Sequence, residues 1–463
     1  MKLRNLYFCR AALRRSHGRP LLTKFLREAL PVPAGGRDKN GRGQVLWGQV
    51  ASTCIASGLP SSIFRTFVHM KRSRSRFPPI SDRAAVAQPL RARAAAIFPA
   101  LGLALLLVSP FPVAAAEDWQ RALQPWSWQF PRDHGAHPEF KTEWWYLTGN
   151  LQDASGNPYG YQLTFFRHGL QPVPTQTGSA WAVRDIYFGH LAVTDGKANR
   201  FYFAEKLSRG ALGEVSFATN DCSVRLGDWT LHRVKDSGFE MKAWAPDEKF
   251  GLELTARPIK SAAFHGNGGL SQKSTSPGNA SHYYSYTRME TQGELQIGDR
   301  RIPVSGLSWL DREFSTSALG QNQEGWDWFC LQLDSGEELM LYRMRNPGDR
   351  TDPSSSGTWI PKSGPSVPLK NADFTIEALG RWKAPGGKIY PSGWKISVPS
   401  LNLEGEVQPL VADQELRLRR IGNLRYWEGA CTFRGTRHGQ PLSGRGYTEL
   451  TGYATPIGQG MKE

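Results

Sequence analysis

The sequence predicts an all-β protein made of two similar antiparallel units. After residue 116, short runs of alternating, β-branched and aromatic residues recur between glycine, proline, asparagine and aspartate turns. In that part of the sequence, apolar residues nowhere keep the three- and four-residue spacing of a helix. Several runs then recur in the same order in the second half, which is typical of a duplicated unit.

Ten of these runs predict strands, and turn residues lie between them. Residues 153–158 and 334–336 contain the glycine, asparagine and aspartate residues that hairpin loops favour. Residues 266–280, rich in glycine, serine and asparagine, predict a long loop. The expected strands cover residues 144–151, 159–167, 187–193, 200–204, 239–244, 251–255, 326–333, 338–345, 393–398 and 430–435.

The repeat consists of an opening motif and a closing motif. The opening motif, a Trp-rich hairpin over 143–167, is matched at 326–343, and the closing motif over 303–313 is matched at 441–449. Two motifs in register favour two tandem barrels or sandwiches, with a boundary near 314–322. About eight strands a unit would suit a small barrel whose interior holds one ligand.

The positive charge is confined to the start of the chain. The formal net charge is +16, but the first 116 residues hold 19 of the 57 basic and three of the 41 acidic residues. The remainder carries 38 of each and is neutral. This distribution excludes the basic surface of a phosphate-backbone binder, so no nucleic-acid partner is expected.

Residues 70–116 have the pattern of a Sec-type signal peptide. A basic run at 71–76 precedes an apolar stretch at 94–108 and the small residues Ala114, Ala115 and Ala116. We expect cleavage after Ala116 and a periplasmic or secreted protein; an uncleaved anchor is the alternative. Because the region before the apolar stretch is abnormally long, we interpret residues 1–69 as an unfolded extension of the predicted gene.

The mature chain then comprises an N-terminal domain, 117–315, and a C-terminal domain, 316–463. Its three cysteines are Cys222, Cys330 and Cys431, so either one disulfide or three buried thiols can form. No Cys/His spacing is typical of zinc sites, and we expect no metal. We also expect no cofactor and no serine nucleophile, since neither a phosphate-binding loop nor G-x-S-x-G occurs in the body.

Five separated motifs carry a family resemblance. They are Glu143-Trp144-Trp145-Tyr146, Gly189-His190, Ser308–Glu313, Gly325–Trp328 and Gly446–Tyr453. In this order they resemble the lipocalin-like carotenoid 1,2-hydratase (hydroxyneurosporene synthase) superfamily, and especially its AttH-like branch of secreted "hydrolases".

The resemblance covers residues 126–453 and implies two tandem lipocalin-like (calycin) antiparallel β-barrels. It implies a ligand cavity in the first barrel and at the domain interface, and a hydrophobic, isoprenoid or lipid-like ligand. It also implies possible hydratase chemistry, the addition of water to an isolated alkene without a cofactor. Because the AttH-like branch often accompanies membrane transporter components, these are expected partners. Fold transfers between relatives more safely than reaction.

Asp311 is the first candidate proton donor for such a reaction. Its neighbours Trp309, Leu310 and Phe314 predict desolvation, which keeps a carboxyl protonated near neutral pH. In a strand, Asp311 and Glu313 share a face. The alternative is that Arg312 or another arginine pairs with these carboxylates at the barrel rim.

Four further polar residues are candidates. Glu143 precedes three aromatic residues and is the second catalytic candidate; alternatively, it is a buried carboxylate that holds an arginine or a loop amide. His190, in an apolar strand, is either a proton relay or a satisfied core histidine. His134 and His137 precede the first strand and could reach a cavity mouth.

Aromatic residues are abundant and supply candidate cavity walls. Aromatic faces stabilise cations and bind conjugated or cyclic ligands. Packing in the core and between domains is the alternative for most of them. The candidates are Trp144, Trp145, Tyr146, Tyr283, Tyr284, Trp309, Trp326 and Trp328.

Two functions stay open from sequence: a cofactor-independent hydratase-like enzyme, and a non-catalytic periplasmic carrier of hydrophobic ligands that serves a transporter. A buried Asp311 with a raised pKa in an apolar pocket favours the enzyme, and a salt-bridged Asp311 at the rim favours the carrier. A third possibility, a structural interaction module, requires a filled interior without a pocket.

Overall fold

A computed structural model describes residues 118–172, 183–317, 319–420, 424–454 and 457. The expected signal peptide, 70–116, and residues 1–69 lie outside the described residues. Within the described ranges, no helix is both long and apolar enough to cross a membrane. Apart from the helical residue Ile457, the helices there are short 3-10 turns at Arg132–His134, Ala211–Gly213, Asn371–Asp373 and Pro399–Leu401.

The first sheet contains thirteen antiparallel strands. Its strand order is β4-β3-β2-β1-β13-β12-β9-β8-β7-β6-β5, and β10 and β11 pair with β12. The strands are β1 (Thr142–Gln152), β2 (Pro158–Gly169), β3 (Asp185–Asp195), β4 (Arg200–Ser208), β5 (Val215–Phe217), β6 (Ser223–Leu226), β7 (Trp229–Val234), β8 (Gly238–Ala245), β9 (Phe250–Pro258), β10 (Ala263–Phe264), β11 (Leu270–Gln272), β12 (Ala280–Ile297) and β13 (Arg300–Ser315).

The second sheet contains eleven strands. Its order is β18-β17-β15-β14-β24-β23-β21-β20-β19, with β16 on β15 and β22 on β23. The strands are β14 (Gly325–Leu333), β15 (Glu338–Asn346), β16 (Arg350–Thr351), β17 (Ser356–Ile360), β18 (Val367–Lys370), β19 (Thr375–Lys383), β20 (Ile389–Val398), β21 (Leu403–Pro409), β22 (Glu415–Arg417), β23 (Arg425–Arg437) and β24 (Gln440–Leu450).

The all-β prediction is confirmed: the two curled antiparallel sheets form a barrel and a half-barrel. Each of the ten predicted strands lies inside an observed strand. The predicted loop 266–280 differs in one respect, because its residues 270–272 form β11 and pair with β12.

The repeat seen in the sequence is a repeat in the topology. In the first sheet, the opening hairpin β1–β2 lies beside the closing hairpin β12–β13; in the second, β14–β15 lies beside β23–β24. The registers also correspond. Tyr146 on β1 stands opposite Asp311 on β13, and Trp328 on β14 stands opposite Glu449 on β24.

Alternation along β1 sends its side chains to two different places. Trp145 and Leu147 belong to the core of the first barrel, together with Leu163, Leu191 and Leu254. The interior expected to hold a ligand is therefore packed with side chains. The opposite face of β1 meets the second sheet, and a cavity lies between the two sheets.

Close approach of the sheets depends on a small residue in β2. A Cβ built on Gly160 would lie 2.5 Å from the Cβ of Ala430 on β23, well inside van der Waals contact. Nearby, the Asn150 side-chain amide donates a hydrogen bond of 2.9 Å to the Gly446 carbonyl across the interface.

Candidate functional site

A cavity of about 210 Å³ lies between the barrel and the half-barrel. Its wall is largely aromatic, but several carboxyl groups open into it. The residues that line it are Thr142, Trp144, Tyr146, Gln162, Phe166, His168, Phe188, His190, Lys273, Tyr283, Asp311, Glu313, Trp326, Trp328, Tyr342, Met344, Leu418, Leu424, Tyr426, Glu428, Glu449, Thr451 and Ile457.

The two sheets meet at an aromatic pair. The rings of Tyr146 and Trp328 pack edge to face, with 5.4 Å between their centroids. Since each ring stands opposite a carboxyl residue on the neighbouring strand, Asp311 and Glu449 enter the cavity beside this pair.

Asp311 is buried, with 4% of its surface exposed, and no cation pairs with it in the described structure. It accepts hydrogen bonds from Trp309 Nε1 (2.5 Å), Tyr283 Oη (2.7 Å) and Ser285 Oγ. Burial raises the pKa of Asp311 to about 7, although these three donors act in the opposite direction.

A second carboxyl, Glu449, faces the cavity from β24. It accepts one hydrogen bond, from Trp326 Nε1 at 3.1 Å. Burial, together with the negative charges of Asp311 and Glu313, raises the pKa of Glu449 to about 7, and the hydrogen bond from Trp326 acts in the opposite direction. The two groups therefore interact, and their titrations are coupled.

Glu313 lies on the same side as Asp311, as the strand alternation predicts, but its environment is different. Lys273 Nζ lies 3.3 Å from its carboxylate, and Ser281 donates a hydrogen bond to it. Burial lowers the pKa of Lys273, but the Glu313 charge outweighs this effect, so that the pKa is raised overall. Glu313 and Lys273 thus form a buried ion pair.

A third polar cluster, around Glu428, contains side chains from both sheets. His190 Nδ1 on β3 lies 2.7 Å from the Tyr426 hydroxyl on β23. Burial lowers the pKa of His190 to about 3, so the imidazole is neutral at pH 7. Burial raises the pKa of Glu428 well above its usual range; Glu449 adds to this rise, and Tyr146 and Tyr426 oppose it.

A family model described as AttH-like matches residues 121–453, which is well over half of the chain. The chain belongs to the AttH-like family. A crystal structure of an AttH protein from Nitrosomonas europaea is 32% identical, has a TM-score of 0.65, and is matched over 72% of this chain and 99% of that one. The expected membership of the carotenoid hydratase-like, lipocalin-like superfamily is confirmed.

Kievitone hydratase is a further similar protein. The enzyme from Fusarium solani subsp. phaseoli is 22% identical over 254 residues, which are 52% of this chain and 68% of that protein. The crystal structure of kievitone hydratase from Nectria haematococca has a TM-score of 0.54 and 14% identity, over 70% of this chain and 93% of that one. This structural similarity shows a common fold.

In this AttH-like chain, Glu143 lies outside the cavity wall, in a buried ion-pair network. Arg167 and Arg312 contact its carboxylate, and the His137 backbone N–H donates a hydrogen bond of 2.9 Å. Burial alone would raise the pKa of Glu143, but the two arginines hold it at about 2. The geometry matches the structural alternative, a buried carboxylate that holds arginines and a loop amide.

Arg312 contacts Glu143 and leaves Asp311 without an arginine partner, because the two side chains leave β13 on opposite faces. Its guanidinium lies 3.8 Å from the ring centroid of Trp145, inside the barrel. Neither carboxyl of the cavity face, Asp311 or Glu313, is bound by an arginine in the described residues. The rim salt bridge considered from sequence is therefore absent there.

Five other predicted site residues also lie outside the cavity wall. His134 Nδ1 is 2.6 Å from the Tyr284 hydroxyl, and the His137 ring stacks on Phe314 at 3.7 Å. Trp145 faces the barrel core, where its Nε1 donates to the His134 carbonyl. Trp309 lies behind Asp311 and orients it. The predicted residues that the cavity does bring together are Trp144, Tyr146, His190, Tyr283, Asp311, Glu313, Trp326 and Trp328.

Sequence reasoning missed several residues of the second sheet: Glu428, Glu449 and Tyr426. The repeat contains a signal for two of them. Tyr283-Tyr284 in the first half corresponds to Tyr426-Trp427 in the second, which indicates Tyr426. In the aligned closing motifs, Pro303 corresponds to Pro441 and Asp311 therefore to Glu449. Alignment of the two motifs therefore indicates Glu449 as a candidate site residue. Glu428 lies before the closing motif, and the sequence contains no such signal for it.

Cysteine and metal chemistry have little support in the described part of the chain. Cys222, Cys330 and Cys431 are buried free thiols, which decides between the two cysteine possibilities. No group of three or more His, Cys, Asp or Glu residues is placed there to hold a metal ion.

Proposed function

We propose that the cavity adds water to an isolated alkene of a neutral hydrophobic molecule, with Asp311 and Glu449 as an acid–base pair. One observation carries the proposal: a carboxyl from each sheet enters the same aromatic cavity, and each has a pKa raised to about 7. Near neutral pH such a pair contains both a proton donor and a proton acceptor.

The hydrogen-bond donors indicate which carboxyl holds the proton. Asp311 accepts three hydrogen bonds and Glu449 accepts one. Donors stabilise the carboxylate form, so the charge belongs on Asp311 and the proton on Glu449. This assignment differs from the sequence-based expectation that Asp311 is the acid, because the structure brings a second carboxyl, Glu449, into the same cavity.

The reaction requires no cofactor. The Glu449 O–H bond breaks, the alkene π electrons form a C–H bond with that proton, and a carbocation remains on the neighbouring, more substituted carbon. Faces of Trp144, Tyr146 and Trp328 can stabilise this cation. A water lone pair then forms the C–O bond, and Asp311 takes the released proton. Proton transfer from Asp311 back to Glu449 restores the enzyme.

The cavity wall limits the substrate. Its aromatic lining favours an isoprenoid or lipid-like body. A volume of about 210 Å³ suits a branched alkene unit better than an entire long polyene. Similarity to kievitone hydratase supports hydratase-type chemistry.

We also propose that the protein is exported and acts beside membrane transporter components. The signal-peptide pattern at 70–116 supports export to the periplasm, and the family resemblance supports a role beside membrane transporter components. The alternative function is a hydrophobic-ligand carrier, for which the same aromatic cavity would be suitable.

The test is chemical. Full-length protein is incubated with a panel of prenyl alkenes in oxygen-labelled water, and the extracted products are analysed by mass spectrometry. We expect a product heavier by one labelled water with the parent protein, and loss of that product with Asp311→Asn and Glu449→Gln. The exposed Glu404→Gln variant is the control. A ligand retained unchanged by the parent and all variants would instead establish a carrier.

A further inference from the structure

One end of the cavity contains buried polar atoms whose hydrogen-bonding capacity is not fully used. Nε2 of His190 has no hydrogen-bond partner within the described structure. The Glu428 carboxyl and the Tyr146 hydroxyl make no hydrogen bond of good geometry there, although the hydroxyls of Tyr146 and Tyr426 lie close enough to lower the pKa of Glu428. Glu428, His190 and Tyr146 are 1%, 3% and 6% exposed, and all three line the cavity. Buried polar groups are almost always hydrogen-bonded, because a buried donor or acceptor without a partner loses its hydration and gains nothing in return.

These atoms belong to one site because Tyr426 and the strand pairing bring them together. Tyr426 Oη contacts His190 Nδ1, which leaves Nε2 of that ring available. The Glu428 carboxyl interacts with the hydroxyls of Tyr146, on the first sheet, and of Tyr426, on the second. Glu428, His190 and Tyr146 therefore form one cluster, which contains residues of both sheets and lines the cavity.

We infer that Glu428, His190 and Tyr146 form a polar subsite that binds one neutral hydroxyl group, alcoholic or phenolic, on the ligand. The inference rests on the proposed function, since it describes the substrate of that cavity. It predicts a molecule with an apolar alkene-bearing part and a hydroxyl group, in place of a pure hydrocarbon.

The charges around the subsite favour a neutral group. The raised pKa of Glu428 keeps its carboxyl protonated, and a protonated carboxyl both donates and accepts, as a hydroxyl ligand requires. Lys273, the lysine of the described lining, is already paired with Glu313. An anionic head group would therefore be desolvated without a free cation to bind it.

Binding of three matched probes tests the inference. Geraniol carries the hydroxyl, its deoxygenated hydrocarbon lacks it, and geranylamine replaces it with a cation. Quenching of cavity tryptophan fluorescence in the full-length protein gives each affinity. We expect geraniol to bind about tenfold to a hundredfold more tightly than the hydrocarbon.

Variants of Glu428 identify the group responsible. Glu428→Gln keeps neutral hydrogen bonding and should keep the preference for geraniol, whereas Glu428→Leu should abolish it. Exposed Glu406→Leu is the control for nonspecific loss, and thermal unfolding shows whether each variant folds. If Glu428→Leu does not fold, His190→Phe provides the same test, because it removes Nε2 and keeps an aromatic ring.

Two results would overturn the inference: equal affinity for geraniol and the hydrocarbon in the parent, or a preference for geranylamine that Glu428→Gln removes. Turnover is measured separately in oxygen-labelled water. A geraniol preference without hydration of any prenyl alkene would leave the subsite standing and reject the proposed chemistry. Hydration without any hydroxyl preference would do the reverse.

Discussion

Asp311 and Glu449 occupy corresponding positions in a duplicated strand, and both side chains enter one cavity from opposite sheets. Asp311 pairs with Tyr146 in the register of β13 and β1, and Glu449 pairs with Trp328 in the register of β24 and β14. The rings of Tyr146 and Trp328 touch at the centre of the interface. Duplication of one unit has thus placed two carboxyls at one site, where the charge of Asp311 raises the pKa of Glu449.

Removal of either carboxyl should stop the reaction. Asp311→Asn removes the proton acceptor and Glu449→Gln the proton donor, and each loss should reduce kcat by about 10²–10⁴. The measurement is the initial rate of labelled-water incorporation into the alkene that the parent protein hydrates.

The double variant distinguishes a coupled pair from two independent groups. If the carboxyls act as one unit, Asp311→Asn combined with Glu449→Gln should be hardly slower than either single variant. Additive losses in the double variant would contradict a shared proton path. The exposed Glu404→Gln variant should keep the parent rate.

Most of the fold could be predicted from the sequence. Alternation is a local property of each strand, and the repeat is visible in the order of the motifs. The strands around Trp144 and Trp326 followed from aromatic alternation, and the shared face of Asp311 and Glu313 followed from the two-residue period of a strand.

The location of the cavity could not be predicted in this way. Alternation separates Trp145 from Trp144 and Tyr146, but it does not tell which face meets the barrel core and which meets the second sheet. Packing between the sheets decides that question. Likewise, Tyr426 contacts His190 across the interface, and no local pattern contains a contact between residues so far apart in sequence.

Protonation of Asp311 should be visible in the stability of the protein. Its pKa rises from 3.8 to about 7 on folding. Between these values the folded state holds a proton that the unfolded state has lost, so the free energy of unfolding falls as pH rises through this window and levels off above it.

The asparagine of Asp311→Asn cannot ionise. The variant should therefore not lose the free energy of unfolding that the parent loses when Asp311 ionises. In urea denaturation, we expect the variant to be more stable than the parent at about pH 8, on the order of 1 kcal/mol or more, with no such gain at about pH 4. Glu449→Gln should show the same difference in stability from the parent, because the pKa of Glu449 is raised in the same way. An equal difference at both pH values would show that Asp311 titrates normally.

Glu143 should prove essential for stability and dispensable for chemistry. Glu143→Gln leaves the buried guanidinium groups of Arg167 and Arg312 without their shared carboxylate, which should cost about 3–5 kcal/mol. Because folding lowers the Glu143 pKa from 4.5 to about 2, its contribution is present above pH 4.5 and is lost as pH falls toward 2.

The Glu143 prediction is checked by urea denaturation together with the rate per folded molecule. The rate at saturating substrate should stay near that of the parent under conditions where the variant is folded. A large fall in kcat with unchanged stability would restore Glu143 as a catalytic residue and would contradict its purely structural role outside the cavity.

A stable cation should bind the cavity as a mimic of the proposed carbocation. A tertiary amine with its nitrogen at the cation position is protonated near pH 7 and should bind about tenfold or more tightly than the isosteric hydrocarbon. The aromatic faces of Trp144 and Trp328 and the charge on Asp311 account for the difference in affinity.

Asp311→Asn should remove most of this preference for the amine, while the affinity for the hydrocarbon stays the same. The preference should also decline as pH falls below about 7 and Asp311 becomes protonated. Isothermal titration with both ligands at two pH values measures each effect, and an amine preference unaffected by Asp311→Asn would place the cation site elsewhere.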